Sequence, residues 1–494
     1  MTIKKKTKTL DELLKEALVP EVEQPYKLPK GWIWVNVDSV MTFVGGGTPS
    51  KSNLAYWNGD IPWATVKDIK GKYLNNTMDS ITNEGLENSS ANVAYPSELL
   101  LITRMSPGKT IITNIKTAIN QDLKIVRSKL SVLPEYMWLY FENNRGKIEH
   151  DSTGTTVKGI QVDKLKKYFF PLPPLHEQKR IVEKVKRLLS KVEEAMQLIE
   201  EAKETFEVRR ASILDKAFRG ELSAQWREDN LVVEDAFSIL ERIRTKKINS
   251  FIKSNTLKIN SVTKDDEPFD LPDGWAWVRL GEISYYVTSG SRDWSKYYSN
   301  EGAMFVRTQD INKNSLNLND VAFVSLPEKV EGKRSLVEKS DILTTITGAN
   351  VGKCALVEAD IKEAYVSQSV ALTKLIEKSI AKYVHLSLLS PCGGGKELER
   401  RAYGIGRPVL SLEDIKNIKI PLAPIGEQQF IVDMVEKLLA NEKESLRLAS
   451  VEKQLEILKQ SILNKAICGE LGTNDLNEES SLGVLKEILQ EKNK

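Results

Sequence analysis

Between Pro174 and Phe218 the apolar residues recur at alternating four- and three-residue steps: Ile181, Val185, Leu188, Val192, Ala195, Ile199, Ala202 and Phe206. A seam of this period predicts a long helix that packs along another helix. Pro174 suits the first helical position and Gly220 the stop just past the end. The span makes a rod of about 65 Å. A surface helix of a larger bundle is the plainer reading, but so narrow a stripe asks for a partner rod. Charged Arg209 falls on the projected seam and interrupts it.

The partner lies later in the chain. PLPPLHEQKRIVEKVKRLL (Pro171–Leu189) returns as PLAPIGEQQFIVDMVEKLL (Pro421–Leu439), and ASILDKAFRGEL (Ala211–Leu222) returns as QSILNKAICGEL (Gln460–Leu471). Upstream, LPKGWIWVNV (Leu28–Val37) returns as LPDGWAWVRL (Leu271–Leu280). The chain is therefore a tandem duplication. In the second rod the phase set by Ile431, Val435 and Leu438 changes to that of Leu448, Val451, Leu455, Leu458 and Ile462, with Asn441 and Glu442 at the slip. Such a slip locally unwinds a coiled coil.

Around the rods the pattern changes period. Residues 1–27 contain an amphipathic helix candidate, Leu10–Leu18. Residues 28–170 read as an α/β unit. Its strand candidates are Trp32–Val37, Ser97–Thr103, Thr110–Ile115 and Leu123–Arg127, and Pro134–Asn144 is a helix. Gly45–Pro49 and Trp57–Asp60 read as turns. The first rod spans 171–222. A linker, 223–270, carries a helix candidate at Val233–Lys247. A second α/β unit spans 271–420 and the second rod 421–471. The tail, 472–494, repeats the linker helix, with Val484, Leu485 and Ile488 in the places of Ile239, Leu240 and Ile243. This circular pattern implies that both termini lie near one end of the paired rods. Trp32, Trp34, Trp275 and Trp277 alternate on strands and read as core.

Composition narrows the function. The 494 residues are 41% hydrophobic and 28% charged, with no apolar run long enough for a transmembrane helix and no signal-peptide core, so a cytoplasmic protein without membrane contact is expected. Three scattered cysteines (Cys354, Cys392, Cys468) and three histidines (His150, His176, His385) argue against a disulfide frame and a metal site. Net charge is +3; residues 28–170 hold 17 Lys/Arg against 13 Asp/Glu, and residues 271–420 hold 20 against 18. Any nucleic-acid surface must come from local placement of charge.

Several loops have the chemistry for it. Thr153, Gly154, Thr155, Thr156 and Lys158 form a small polar loop that can approach a phosphate, and Tyr403 to Arg407 is its counterpart. A plain turn is the alternative. Arg104 and Lys109 flank Pro107-Gly108 between two strands. Thr347, Asn350 and Lys353 stand in the parallel place of the second unit. Arg and Asn can read guanine and adenine in the major groove. Thr48 and Lys51 in the first unit and Arg292 in the second complete the DNA-contact candidates. Gln178 and Gln428 near the rod starts are candidate contacts to partner subunits; the neighbouring Glu177 reads as a first-turn carboxylate facing the helix dipole. Phe43–Gly47 superficially resembles a methyltransferase's cofactor loop, but Thr48-Pro49-Ser50 opens a turn where a helix is required. No Asn/Asp-Pro-Pro-aromatic tetrapeptide occurs.

Four segments resemble the specificity subunit of Type I restriction-modification enzymes: GGGTPS…YWNGDIPW (Gly45–Trp63), GTTVKGIQVDKLKKYFFPLPPLHEQKRIV (Gly154–Val182), SILDKAFRGEL and IPLAPIGEQQFIV. The second unit departs from the pattern, with Thr288–Ile311 replacing the Gly-Thr-Pro-Ser turn. The resemblance implies two α/β target-recognition domains separated by two long helices that pair as an antiparallel coiled coil, related by a pseudo-twofold repeat. It implies a non-catalytic reader of double-stranded DNA, each domain reading half of an asymmetric bipartite site. Two methyltransferase (modification) subunits that bind S-adenosylmethionine, and restriction subunits in the full complex, are the implied partners. The competing readings are a self-contained DNA methyltransferase or nuclease, and a coiled-coil scaffold that binds no DNA.

Overall fold

The structure is a computed structural model. It describes every residue except 1–8, 130–131, 155–156, 231–233, 250–260, 313–314, 328–331, 405, 441–442, 476–477, 479 and 492–494. Thr155, Thr156, Val233, Asn441 and Glu442 thus lie outside the described residues. The chain forms two compact units. One joins the residues up to Glu200 with those from Ala449 onward, and the other runs from Glu201 to Leu448.

In the first unit, Ile33–Asn36 pairs antiparallel with Phe169–Leu172 and so brings the start of the head beside the start of the first rod. Two buried tyrosines fix this pair: Tyr136 donates to the Pro171 carbonyl at 3.1 Å and Tyr140 to that of Phe169 at 2.9 Å. The head holds a five-stranded sheet, in the order Met41–Gly45, Leu123–Ser128, Leu99–Ile102, Thr110–Thr113 and Tyr73–Leu74. A four-stranded sheet orders Asp79–Ile81, Trp57–Ala64, Thr117–Ile119 and Asn92–Ala94. The four strand candidates and the helix Pro134–Asn143 fall where the apolar pattern puts them. Trp57–Asp60 is not a free turn. It is a bulge inside a strand, with Trp57 and Ile61 both opposite Ile81 and Asn58 at φ 59°. A bulge takes up extra residues in a left-handed kink, so it leaves the same Asn-Gly signature as a turn.

The second unit repeats this plan. Ala276–Arg279 pairs with Lys419–Leu422, and Tyr383 donates to the Pro421 carbonyl at 2.6 Å. Its sheet order is Ser284–Ser289, Val370–Leu375, Ile342–Thr345, Cys354–Leu356, matching the first four strands of the first head's larger sheet. All four tryptophans expected in the core are buried.

The first rod is one helix, Leu175–Phe218; Pro174 precedes it and accepts from Gln178 N at 3.0 Å. The second rod holds the helices Ile425–Leu439 and Lys443–Ile467; the expected phase slip at Asn441 and Glu442 lies outside the described residues. Both rods end in the same way. Gly220 (φ 76°) and Gly469 (φ 80°) donate to Ala217 and Ala466, and the following Glu221 and Glu470 donate to Lys216 and Lys465. This left-handed stop satisfies carbonyls left open at a helix end. In the first unit Ile181, Val185, Leu189 and Val192 share a core with Ile462, Leu463, Ala466 and Ile467, the two helices running in opposite directions. In the second unit Leu214, Ala217 and Phe218 pack with Ile431, Val432 and Val435. Arg209 does not sit on the seam. After Phe206 the seam takes four-residue steps, so Arg210 turns inward and Arg209 stays exposed.

The terminal segments meet as the circular pattern implies. Leu10–Ala17, capped by a reciprocal Thr9–Glu12 box, packs on Ser481–Glu491. Ser481 N donates to Gly31 O at 2.9 Å. In the second unit the linker helix Ala236–Asn249 makes the equivalent bond, Ala236 N to Gly274 O, also at 2.9 Å.

At each rod start a carboxylate is almost wholly buried. Glu177 accepts from Arg180 Nε, the Thr473 hydroxyl and Asn474 N, each at 2.9 Å. Burial alone pushes its carboxyl up; the Asn474 amide, Arg180 and Thr473 outweigh that and hold it below the usual carboxylate value. Glu427 accepts from the Ser223 hydroxyl at 2.6 Å, from Trp275 Nε1 at 2.8 Å and from Arg227. Removing one partner of a buried pair strands the others, at about 3–5 kcal/mol. Glu427→Ala should therefore lower unfolding stability by about 3 kcal/mol, read by denaturant titration. Glu177→Gln should narrow its difference from wild type as the pH falls, because a depressed carboxyl stabilises above its unfolded value and stops doing so below its native one.

Candidate nucleic-acid interface

The strands Leu99–Ile102 and Thr110–Thr113 are joined by a turn that Gly108 (φ 93°) closes, with Gly108 N on Ile102 O at 3.0 Å. A second loop runs from Thr153 to Gly159, whose backbones exchange two hydrogen bonds of 2.9 Å. Gly154 (φ 121°) is required there, since a β-carbon would stand 2.2 Å from the Val157 carbonyl oxygen. The loop docks on the turn: Met105 N donates to Lys158 O and Ile160 N to Thr103 O, both at 2.9 Å. Arg104, Thr153 and Lys158, distant in sequence, therefore meet at one junction with exposed side chains, and Lys109 closes the turn.

A third loop joins them. Asp122 lies 3.4 Å from Arg104 Nη1, and its neighbour Gln121 accepts from the Thr48 hydroxyl. Asp122 thus orients Arg104, a role that one carboxylate among many in the sequence gives no sign of. Lys51 is exposed a few residues beyond Thr48 and takes no part in the junction's hydrogen bonds among the described residues.

The second head builds the same junction from other side chains. Gly348 N donates to Pro408 O at 3.0 Å, Leu410 N to Ile346 O at 2.9 Å, and Tyr403 and Val409 exchange bonds of 3.0 and 2.8 Å. Thr347 and Arg407 meet there, and Lys353 O accepts from Thr345 N as Lys109 O does from Ile102 N. Backbone register sets Pro408 opposite Lys158 and Arg407 opposite Val157, so the two basic residues are offset by one position. Asn350 leans away, its Nδ2 3.5 Å from Thr308 O. Arg292 is exposed beside Asp293 (φ 64°), outside the junction's hydrogen bonds.

Two assignments change. Gln178 and Gln428 are buried and cannot present a surface to partner subunits. Gln178 accepts from Leu133 N at 2.9 Å and donates to Pro173 O at 3.1 Å; Gln428 donates to Ala423 O at 2.7 Å. Each fastens the rod start to the segment leading into it. Glu177 is more than a carboxylate facing a helix dipole, because it grips the far end of the other rod. As for the glycine run, β-carbons at Gly46 and Gly47 would fall 2.2 Å from Asn120 O and from Ser90 Oγ. Gly290 is equally tight, 1.8 Å from Val366 O, although the sequence around it differs. Close approach to strand and loop atoms accounts for these glycines.

The Thr153–Gly159 ladder should depend on Gly154. Gly154→Ala is expected to raise amide exchange at Thr153 and Gly159 while leaving the Leu99–Ile102 strand protected, as hydrogen-exchange mass spectrometry would show.

The family described as Type I restriction modification DNA specificity domain matches residues 29–204 and 272–453. The chain is 25% identical over 465 residues to the Type I restriction enzyme MjaIX specificity subunit of Methanocaldococcus jannaschii, covering 91% of this chain and 96% of that protein. It is 25% identical over 472 residues to the EcoBI specificity subunit of Escherichia coli, covering 92% and 90%. A solved structure concerned with complex assembly and conformational transition of the type I R-M system shares the fold, with a TM-score of 0.58 at 21% identity over 90% of this chain and 99% of that one. Two matched segments, each holding one head and the start of one rod, place the chain in the family of Type I restriction modification DNA specificity domains.

Proposed function

We propose that this chain is the DNA-reading subunit of a Type I restriction-modification complex and that each head reads one half of an asymmetric, bipartite duplex site. The observation that carries this reading is the junction built twice on the same backbone hydrogen bonds with different side chains: Arg104, Thr153 and Lys158 in one head, Thr347, Tyr403 and Arg407 in the other. A shared frame with divergent tips is what two half-sites of different sequence require. Lysine and arginine in glycine loops hold phosphates and set register, and neighbouring side chains read base edges.

In this reading the rods set the spacer between half-sites and dock two modification subunits, which carry the methyl-transfer chemistry with S-adenosylmethionine; restriction subunits join the larger assembly. Docking falls to the exposed faces of the rods, where Leu198 and Ile457 in the first unit and, separately, Val208 in the second offer apolar anchors, and not to Gln178 or Gln428.

Exchanging residues 28–170 for the first head of another family member should change one half of the methylated site and leave the other intact, as methylation mapping of the hybrid would show. A change in both halves would refute independent heads. Lys158→Ala and Arg407→Ala should weaken binding by the assembled complex on every sequence, each lowering the log–log salt slope by about 0.9. A binding titration across salt concentrations measures this; an unchanged slope removes the residue from the phosphate contacts.

A further inference from the structure

In the first head the turn passes through the left-handed region at Met105, φ 74°. A β-carbon is sterically disfavoured there. At the same point of the second head stands Gly348 (φ 96°), the residue that this backbone suits. Met105 is also 62% exposed, so burial does not explain a long apolar side chain at this position either. Backbone preference and solvent both argue against methionine, yet the junction's hydrogen bonds hold it in place between Arg104 and the exposed Lys158. Conflicts of this kind between local rules and the residue present concentrate at functional sites.

The second head has no side chain at Gly348, but it makes an equivalent display from the other strand of the junction. Tyr403 occupies the place of Thr153 in the ladder and is 59% exposed, near the exposed Arg407. At its junction each head thus holds a large apolar or aromatic side chain outward, on a backbone fixed by hydrogen bonds, among cations.

We propose that Met105 and Tyr403 press against the base pairs of the bound duplex, Met105 as a wedge at a step in or beside the first half-site and Tyr403 as a stacking face at the second. The proposal rests on the reading of this chain as a DNA reader. The cations take the phosphates, and the apolar tip meets the stack. Methionine is among the side chains that wedge and partly unstack base steps, and an aromatic ring offers a face to any base. The two heads differ in tip and in the strand that carries it, so the distortion differs between half-sites and adds to their discrimination through DNA deformability.

The test uses the complex assembled with its modification subunits and duplexes of the mapped target carrying 2-aminopurine at successive positions. Wild type should raise the fluorescence at one step in each half-site. Met105→Gly should abolish the rise in the first half-site alone and weaken binding about tenfold. Its salt slope should stay at the wild-type value, and its thermal stability should be equal or higher, because the backbone there suits glycine. Met105→Leu should keep the signal. Tyr403→Thr should act in the same way on the second half-site. A complex that binds the duplex with fluorescence and affinity unchanged in Met105→Gly and Tyr403→Thr overturns the proposal and leaves the reader function standing. So does a lowered salt slope, which would make these positions part of the phosphate contacts. A wild-type complex that binds no duplex overturns the reader function itself.

Discussion

A carboxylate taken out of water at the start of a rod must be matched by donors, and in this protein each draws some of them from the segment just past the far end of the other rod. Glu177 is held by Thr473 and Asn474, Glu427 by Ser223, Arg227 and Trp275. An unmatched buried charge costs several kcal/mol, so the two rod ends cannot separate without exposing or stranding the carboxylate. This requirement closes each unit on itself. A second contact repeats in both units: the linker helix in one and the tail helix in the other make the same backbone bond, to Gly274 and to Gly31.

The duplicated halves meet the requirement differently. In the first, the cation is Arg180, on the rod itself, and Gly472 leaves room for the carboxylate, since a β-carbon there would stand 1.7 Å from Glu177 Oε1. The hydroxyl then comes from Thr473. In the second, the position of Gly472 is Ser223, which donates directly; the cation is Arg227, and Phe430, in the place of Arg180, stacks on Trp226. Each buried carboxylate keeps an arginine, although Arg180 also binds Glu478, and the donors around it sit at different positions. The recognition junctions follow the same logic, with backbone hydrogen bonds kept and side chains changed. A backbone frame tolerates substitution at its exposed tips, which is why variable recognition loops sit on rigid elements.

What the sequence determined by itself was whatever depends on period and on local backbone chemistry. The heptad seam of Ile181 to Phe206 gave the long helix, Gly220 and Gly469 its stops, and the repeated PLxP…EQ and GEL segments the duplication, because apolar spacing and left-handed turns are properties of neighbours in the chain. The four buried tryptophans were legible for the same reason. The basic glycine loops could be named singly, as loops. Only the tertiary structure decided which of them meet, because the bonds from Met105 to Lys158 and from Gly348 to Pro408 join residues 53 and 60 positions apart. It also decided that Gln178 and Gln428 point inward, that Arg210 rather than Arg209 faces the seam, and that Trp57–Asp60 is a bulge inside a strand. In each case the residue type is compatible with both outcomes. The choice is made by the packing partner across the core, and that partner is not a neighbour in the sequence.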